Sequence, residues 1–173
     1  MQTLGIFHTH KHTHQGFGLV ELTLVLTVLS SLALLTVPSM QRVLERGRVE
    51  LARDLLLNDL QSARVRALQI GQALRLTRLS DCSWATSAGS DWSCGWQLQL
   101  ADGSQTMQVT PLHTPLSVTY TKTSALAISA QGDLGGVGER WTVSARTPSL
   151  NVAYALCLNN ASRIRVVSGA TCS

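Results

Sequence analysis

Lysine is almost missing from this chain. Of its 14 basic residues only Lys11 and Lys122 are lysines; the rest are arginines. Aromatic residues are scarce, at 5% of the chain, so leucine, valine and alanine are expected to build the core. There is no CxxC pair and no Cys/His set with zinc spacing, which excludes ribbon- and finger-type metal sites. The Gly-rich stretch GDLGGVG, residues 132–138, lacks the lysine and the strand-to-helix context of a phosphate loop, and reads as a flexible hairpin loop. After residue 16 the only histidine is His113, between Pro111 and Pro115, with no neighbour suited to make it a base. Asp81, Asp91, Asp102, Asp133 and Glu139 are scattered, mostly in turn-like stretches, and form no readable pair. These absences point away from an enzyme. No catalytic residue, cofactor or metal is expected.

What is present bounds the rest. With the first forty residues set aside, the remainder of the 173 suits one domain with a modest core. The net charge of +4 permits an acidic partner without establishing one. Cys82, Cys94, Cys157 and Cys172 make an even set, which suits two disulfides and an oxidising compartment. Proximity favours Cys82–Cys94 and Cys157–Cys172, although four cysteines allow three pairings.

The first sixteen residues, MQTLGIFHTHKHTHQG, are polar and His-rich. His8, His10, His12 and His14 alternate, but nothing around them fixes a coordination geometry, so they read as a polar leader. An apolar run follows, Phe17–Val37. As a helix it is about 31 Å long, enough to cross a bilayer core, and too long for the core of an ordinary signal peptide. It is expected to be a membrane anchor. Arg42, Arg46 and Arg48 beyond it would favour a cytoplasmic far side, whereas the cysteines place that side outside; the cysteines are the stronger signal. Glu21 stands inside the run. A carboxylate at the centre of a spanning helix costs about 2.5–3.5 kcal/mol, and less near an end. Such a group wants a partner. The amino terminus of a neighbouring copy would serve, if the chain were cut just before Phe17.

Residues 39–70 read as a continued helix. Ala52, Leu55, Leu56, Leu60, Ala63, Ala67 and Ile70 recur at three- and four-residue steps, and Gly71 is a natural stop. Beyond it lie short β-prone stretches: ALRLTRL, GWQLQL, MQVTPL, LSVTYTK, LAISA, RWTVSA, VAYALCL and RIRVVS, separated by Gly, Ser, Asn and Pro. The expected fold is α+β, a long helix packed on an antiparallel sheet or pair of sheets. The expected divisions are a leader (1–16), an assembly helix (17–38), an amphipathic helix (39–71) and a β-rich head (72–173).

Gly16-Phe17 followed by Glu21 and a long apolar helix resembles the class III signal of type IV prepilins and type II secretion pseudopilins. Pro38 falls where pilins often carry a helix-kinking proline. LLLNDLQSARVRALQIGQALRL, residues 55–76, resembles the GspH/FimT signature through Leu60, Ala63, Arg64 and Ala67. LAISAQGDLG, with Gly132 at a turn, is similar to a later segment of that family. The resemblance implies a type IV pilin fold, cleavage after Gly16 by a prepilin peptidase and N-methylation of Phe17. It implies that Glu21 pairs with a neighbouring subunit's amino terminus during assembly. The partners implied are other pilins and the bacterial inner membrane, with the head in the periplasm before assembly.

One further cluster concerns binding. Arg163 and Arg165 are two residues apart, so on a strand both point the same way. Lys122, Arg140 and Arg146 lie on other expected strands or their edges. Guanidiniums on one exposed face suit phosphate contacts; the plainer reading is a solvated edge strand. Some FimT-type members of the resembled family bind DNA through a C-terminal GRxR motif. Ser162-Arg163-Ile164-Arg165 is similar, with serine in place of the glycine, and double-stranded DNA is the partner this implies.

Overall fold

The computed structural model describes residues 18–123, 125–135, 138–146, 151–159 and 161–172, with the side chains of residues 34–38 outside that description. Gly16, Phe17 and the histidine-rich leader therefore lie outside the described residues. The chain divides into two units, Met1–Met40 and Gln41–Ser173. Helix α1 is Leu19–Ile70 and supplies residues to both.

In the first unit, α1 exposes Leu19, Val20, Leu22, Leu24 and Leu26 alike. Its hydroxyls are turned inward on the backbone. Thr23 donates to the Val20 carbonyl at 2.8 Å, Thr27 to Leu24 at 2.8 Å, Ser30 to Leu26 at 2.7 Å and Ser31 to Val28 at 2.7 Å. Back-bonding of this kind satisfies hydroxyls without water. Among the described residues no helix is long and apolar enough to cross a membrane. The expected anchor draws on Phe17 and on residues 34–38, and so extends beyond what is described.

Among its described residues the second unit holds eight strands: β1 (Leu74–Arg78), β2 (Gly95–Leu100), β3 (Thr106–Pro111), β4 (Leu116–Tyr120), β5 (Leu126–Ile128), β6 (Arg140–Ala145), β7 (Ala153–Leu158) and β8 (Ile164–Ser168). Each β-prone stretch of the sequence overlaps one of them. They form two four-stranded sheets, β3-β2-β1-β5 and β4-β6-β7-β8, and every pairing is antiparallel. One core joins Leu56 and Leu60 of α1 to Leu74, Leu76 and Leu98 of the first sheet and Val118, Val143 and Leu156 of the second.

The apolar stripe of α1 is narrower than its spacing implies. Val49, Ala52, Leu56, Leu60, Ala63 and Ala67 are buried, but Leu55 and Ile70 are exposed. Leu55 is turned about 100° from Leu56, which carries it past the edge of the contact. The alanines leave only short side chains between helix backbone and core. Gly71 ends the helix with φ of 66°, and its N–H still reaches the Ala67 carbonyl at 2.9 Å, a common helix stop.

Aromatic residues, though few, sit at the centre, which corrects the expectation of an all-aliphatic core. Trp92, Trp96, Trp141 and Tyr120 are all buried. Tyr120 stacks on Trp141 with centroids 4.3 Å apart, and Trp92 meets both edge-on at 5.3 and 5.8 Å. Large rings fill core volume with few residues. The Tyr120 hydroxyl donates to the buried Glu139 carboxylate; burial first, and then this bond, push the phenol well above its usual range.

Two disulfides close, Cys82–Cys94 and Cys157–Cys172, the pairing that proximity favours. The Cys82–Cys94 loop does more than connect. Trp92 N–H donates to the Val118 carbonyl at 2.7 Å and Tyr120 N–H to Ser90 at 2.8 Å, so the loop pairs along the outer edge of β4. Asp91 holds it in shape, accepting from Thr86 N–H at 2.6 Å, Thr86 Oγ1 at 2.7 Å and Ser93 N–H at 2.9 Å. Burial opposes ionisation of Asp91, but bonds from Ser93 and Thr86 outweigh it and hold the carboxyl below the usual carboxylate range.

Candidate functional site

Two groups of residues carry the functional reading, one in each unit. The first is Glu21, in the first turn of α1 and exposed. A carboxylate is well placed there, because the helix N-terminus presents free N–H groups and the positive end of the dipole. Thr23, Thr27, Ser30 and Ser31 all bond to their own helix. Glu21 does not. Among the described residues 18–33 it is the one polar side chain with no bond inside the chain.

The second group lies on the outer face of the β4-β6-β7-β8 sheet. Arg140 of β6 is directly opposite Cys157 of β7, which is opposite Arg165 of β8. Paired residues share a face, so Arg140, Cys157 and Arg165 form one row. Arg163 just precedes β8 and has the same parity as Arg165; both are exposed. Lys122 is two residues past β4, at the same end, where Thr121 N–H donates to the Arg140 carbonyl at 3.1 Å. Arg146 is not brought to this end. It follows the far end of β6, roughly 20 Å along the strand from Arg140 at about 3.3 Å per residue. Among the described residues the ion pairs involve none of these five cations.

The C-terminal residues cross this face. Thr142 Oγ1 donates to the Ala170 carbonyl at 3.4 Å, and Arg165 Nη2 reaches the Cys172 carbonyl at 3.5 Å. The Cys157–Cys172 disulfide thus ties the tail down between Arg140 and Arg165.

Ser162 accounts for its own place in the motif. It adopts φ of 55°, the left-handed region that favours glycine. Its hydroxyl accepts from Leu134 N–H at 2.9 Å and donates to the Leu134 carbonyl at 3.3 Å. The side chain that costs strain therefore also offsets it. Arg64 of α1 grips the same turn. Its Nη1 donates to the Ser162 carbonyl at 2.9 Å and its Nε to the Gly132 carbonyl at 2.9 Å. The arginine of the helical signature thus holds the turn that leads into Arg163 and Arg165.

The remaining polar residues are structural or exposed. His113, Asp81, Asp102 and Asp133 are exposed. Asp59 is a residue that the sequence reading missed. It is buried and accepts from Trp96 Nε1 at 2.8 Å, Gln108 Nε2 at 2.8 Å and Thr110 Oγ1 at 2.7 Å. A signal was available: Asp59 falls three residues after Leu56 and four before Ala63, on the stripe itself.

No family model matches this chain, and no curated protein does. Two crystal structures of the type IV minor pilin FimU from Pseudomonas aeruginosa resemble it. The first has a TM-score of 0.59 at 20% identity, over 75% of this chain and 98% of that one. The second, another crystal form, has a TM-score of 0.56 at 20% identity, over 72% of this chain and 99% of that one. At such identity the likeness shows the fold. The chain has the type IV pilin fold, with a long N-terminal helix and antiparallel sheets.

Proposed function

We propose that this chain is a minor pilin or pseudopilin, a structural subunit that assembles through its N-terminal helix into a type IV pilus, a related secretion pseudopilus, or a complex at the tip of one. The observation that carries this reading is Glu21, with no bond among the described residues, on an exposed apolar helix. In lipid an unpaired carboxylate is costly. A neighbouring subunit's amino group would neutralise it. Cleavage after Gly16 by a prepilin peptidase would create that group on Phe17, with N-methylation following. Residues 17–38 would hold the chain in the inner membrane before assembly, with the head in the periplasm, where two disulfides are stable. Its work on this reading is assembly rather than catalysis. The test is Glu21→Ala, scored as the fraction of the processed subunit recovered in sheared filaments. A drop of about tenfold is expected, since losing about 1.4 kcal/mol or more of pairing shifts assembly that far. Unchanged incorporation would remove the role given to Glu21.

The row Arg140–Cys157–Arg165, with Arg163 and Lys122 at the same end, favours a second reading within the same scaffold. Here the head contacts the phosphates of double-stranded DNA during uptake. Arg163→Ala/Arg165→Ala should weaken binding and flatten its salt dependence by about two phosphate contacts. A double variant that binds as tightly, with the same salt slope, sinks this reading and leaves the assembly reading intact.

A further inference from the structure

An exposed sheet edge is a template for another strand, and folded proteins protect such edges in recognisable ways. Three of the four edges here are protected. β3 ends in Pro111 and meets β2 with a register shift between Leu98 and Gln99. β5 is three residues long, and Leu134 and Gly135 bridge to its outer side, with Gly135 N–H on the Ala127 carbonyl at 2.9 Å. β4 is covered by Ser90–Trp92.

β8 has none of these, and carries instead the charges of Arg163 and Arg165 on one face. Its register to β7 is unbroken from Tyr154↔Ser168 to Leu158↔Ile164, and its five residues contain no proline. The flanking bonds set its orientation: Asn159 N–H donates to the Arg163 carbonyl at 3.2 Å and Gly169 N–H to Ala153 at 2.8 Å. By the alternation of an antiparallel ladder, Arg165 and Val167 also bond toward β7. The N–H and C=O groups of Ile164, Val166 and Ser168 point outward. Among the described residues nothing bonds to them.

We propose that β8 is a docking edge for an extended segment of another protein, one in which apolar and acidic residues alternate. The two faces of the strand set that pattern. On the inner face Val166 is 37% exposed and would be covered by an apolar side chain of an added strand. On the outer face Arg163 and Arg165 are exposed and in no ion pair among the described residues; the added strand would bring carboxylates beside them. A second copy of β8 is disfavoured: parallel in-register pairing would set these arginines against their own kind, and an antiparallel copy centred on Val166 would set Arg165 opposite Val167 and bring it no carboxylate. Backbone bonds would supply affinity, and the alternating side chains specificity.

The test uses the full chain in detergent micelles and two synthetic peptides of about nine residues, one alternating valine with glutamate and one alternating valine with lysine. The glutamate peptide should bind at least about tenfold more tightly than the lysine peptide. It should slow amide hydrogen exchange at Ile164, Val166 and Ser168, leaving Arg165 and Val167, already bonded, nearly unchanged. Val166→Pro removes one outward N–H and no ladder bond, so it should weaken binding by about tenfold or more while the melting temperature hardly moves. If that variant fails to fold, the exchange pattern of the unaltered protein still decides. Equal affinity for both peptides overturns the proposal, as does unchanged exchange at the three amides under saturation. Protection of those amides that grows with protein concentration alone also overturns it, in favour of a second copy. So does protection by a DNA duplex and not by peptide.

Discussion

Replacing Arg64 by methionine tests how the candidate binding turn is held. Arg64 makes two bonds, each 2.9 Å, to the carbonyls of Gly132 and Ser162. Both of those residues have positive φ, 77° and 55°, so each turn is held in a conformation that an unsupported chain visits less. Methionine keeps the helix propensity and most of the stem, and removes only the donors. A hydrogen bond from a charged donor contributes about 1.5–3 kcal/mol. Arg64 is half-buried, so the lower end applies, and the pair is expected to contribute about 2–3 kcal/mol. For a chain of this size that lowers the melting temperature by about 4–12 °C. Near-ultraviolet circular dichroism, which reads the buried tryptophans, measures the shift. Hydrogen exchange should show where it falls, with amides in Asn159–Arg163 and Ser129–Asp133 accelerated more than those of β1 and β2. Arg64→Lys should recover only part of the loss, since an ammonium group lacks the fork that spans two carbonyls. A melting temperature within about 1 °C of the original, or acceleration spread evenly over the head, would refute the reasoning.

Other outcomes follow from single contacts. Asp59→Ala removes the shared acceptor of the Trp96, Gln108 and Thr110 donors and should cost about 3 kcal/mol in denaturant unfolding. Ser162→Gly should change stability by less than about 1 kcal/mol, as relief of left-handed strain offsets the lost hydroxyl bonds, whereas Ser162→Val should cost about 3 kcal/mol. The Asp91 carboxyl is held below its usual range by Ser93 and Thr86, so its contribution is present above the unfolded value, near pH 4, and is lost as pH falls through the lower folded value. Asp91→Asn should therefore flatten the stability profile in that acid window in pH-dependent melts. Cys82→Ser/Cys94→Ser should cost about 3 kcal/mol and speed exchange at the Trp92 and Tyr120 amides, which the loop protects.

Much of this protein is legible in its sequence because much of its structure is local. Helix and strand positions follow from periodicities over a few residues, and every β-prone stretch became a strand. Cys82–Cys94 and Cys157–Cys172 are separated by short loops, where closure is least costly. The run from Phe17 and the carboxylate within it are features of composition alone, and they carry the assembly proposal. Pairing across long separations is another matter. No local pattern says that the strands divide into two sheets, or that Trp92 and Trp141 meet Tyr120 in the core. Period 2 places Arg163 and Arg165 on one side of a strand, but only the register of β6, β7 and β8 sets Arg140 in their row and leaves Arg146 at the far end. Arg64 reads as part of a helical signature; that it grips Gly132 and Ser162, 68 and 98 residues away, is decided by how the sheets close. Local preferences act through dihedrals and side-chain spacing, which a sequence displays residue by residue. Long-range contacts depend on which surfaces can bury one another together, and that is settled only when the whole head has packed.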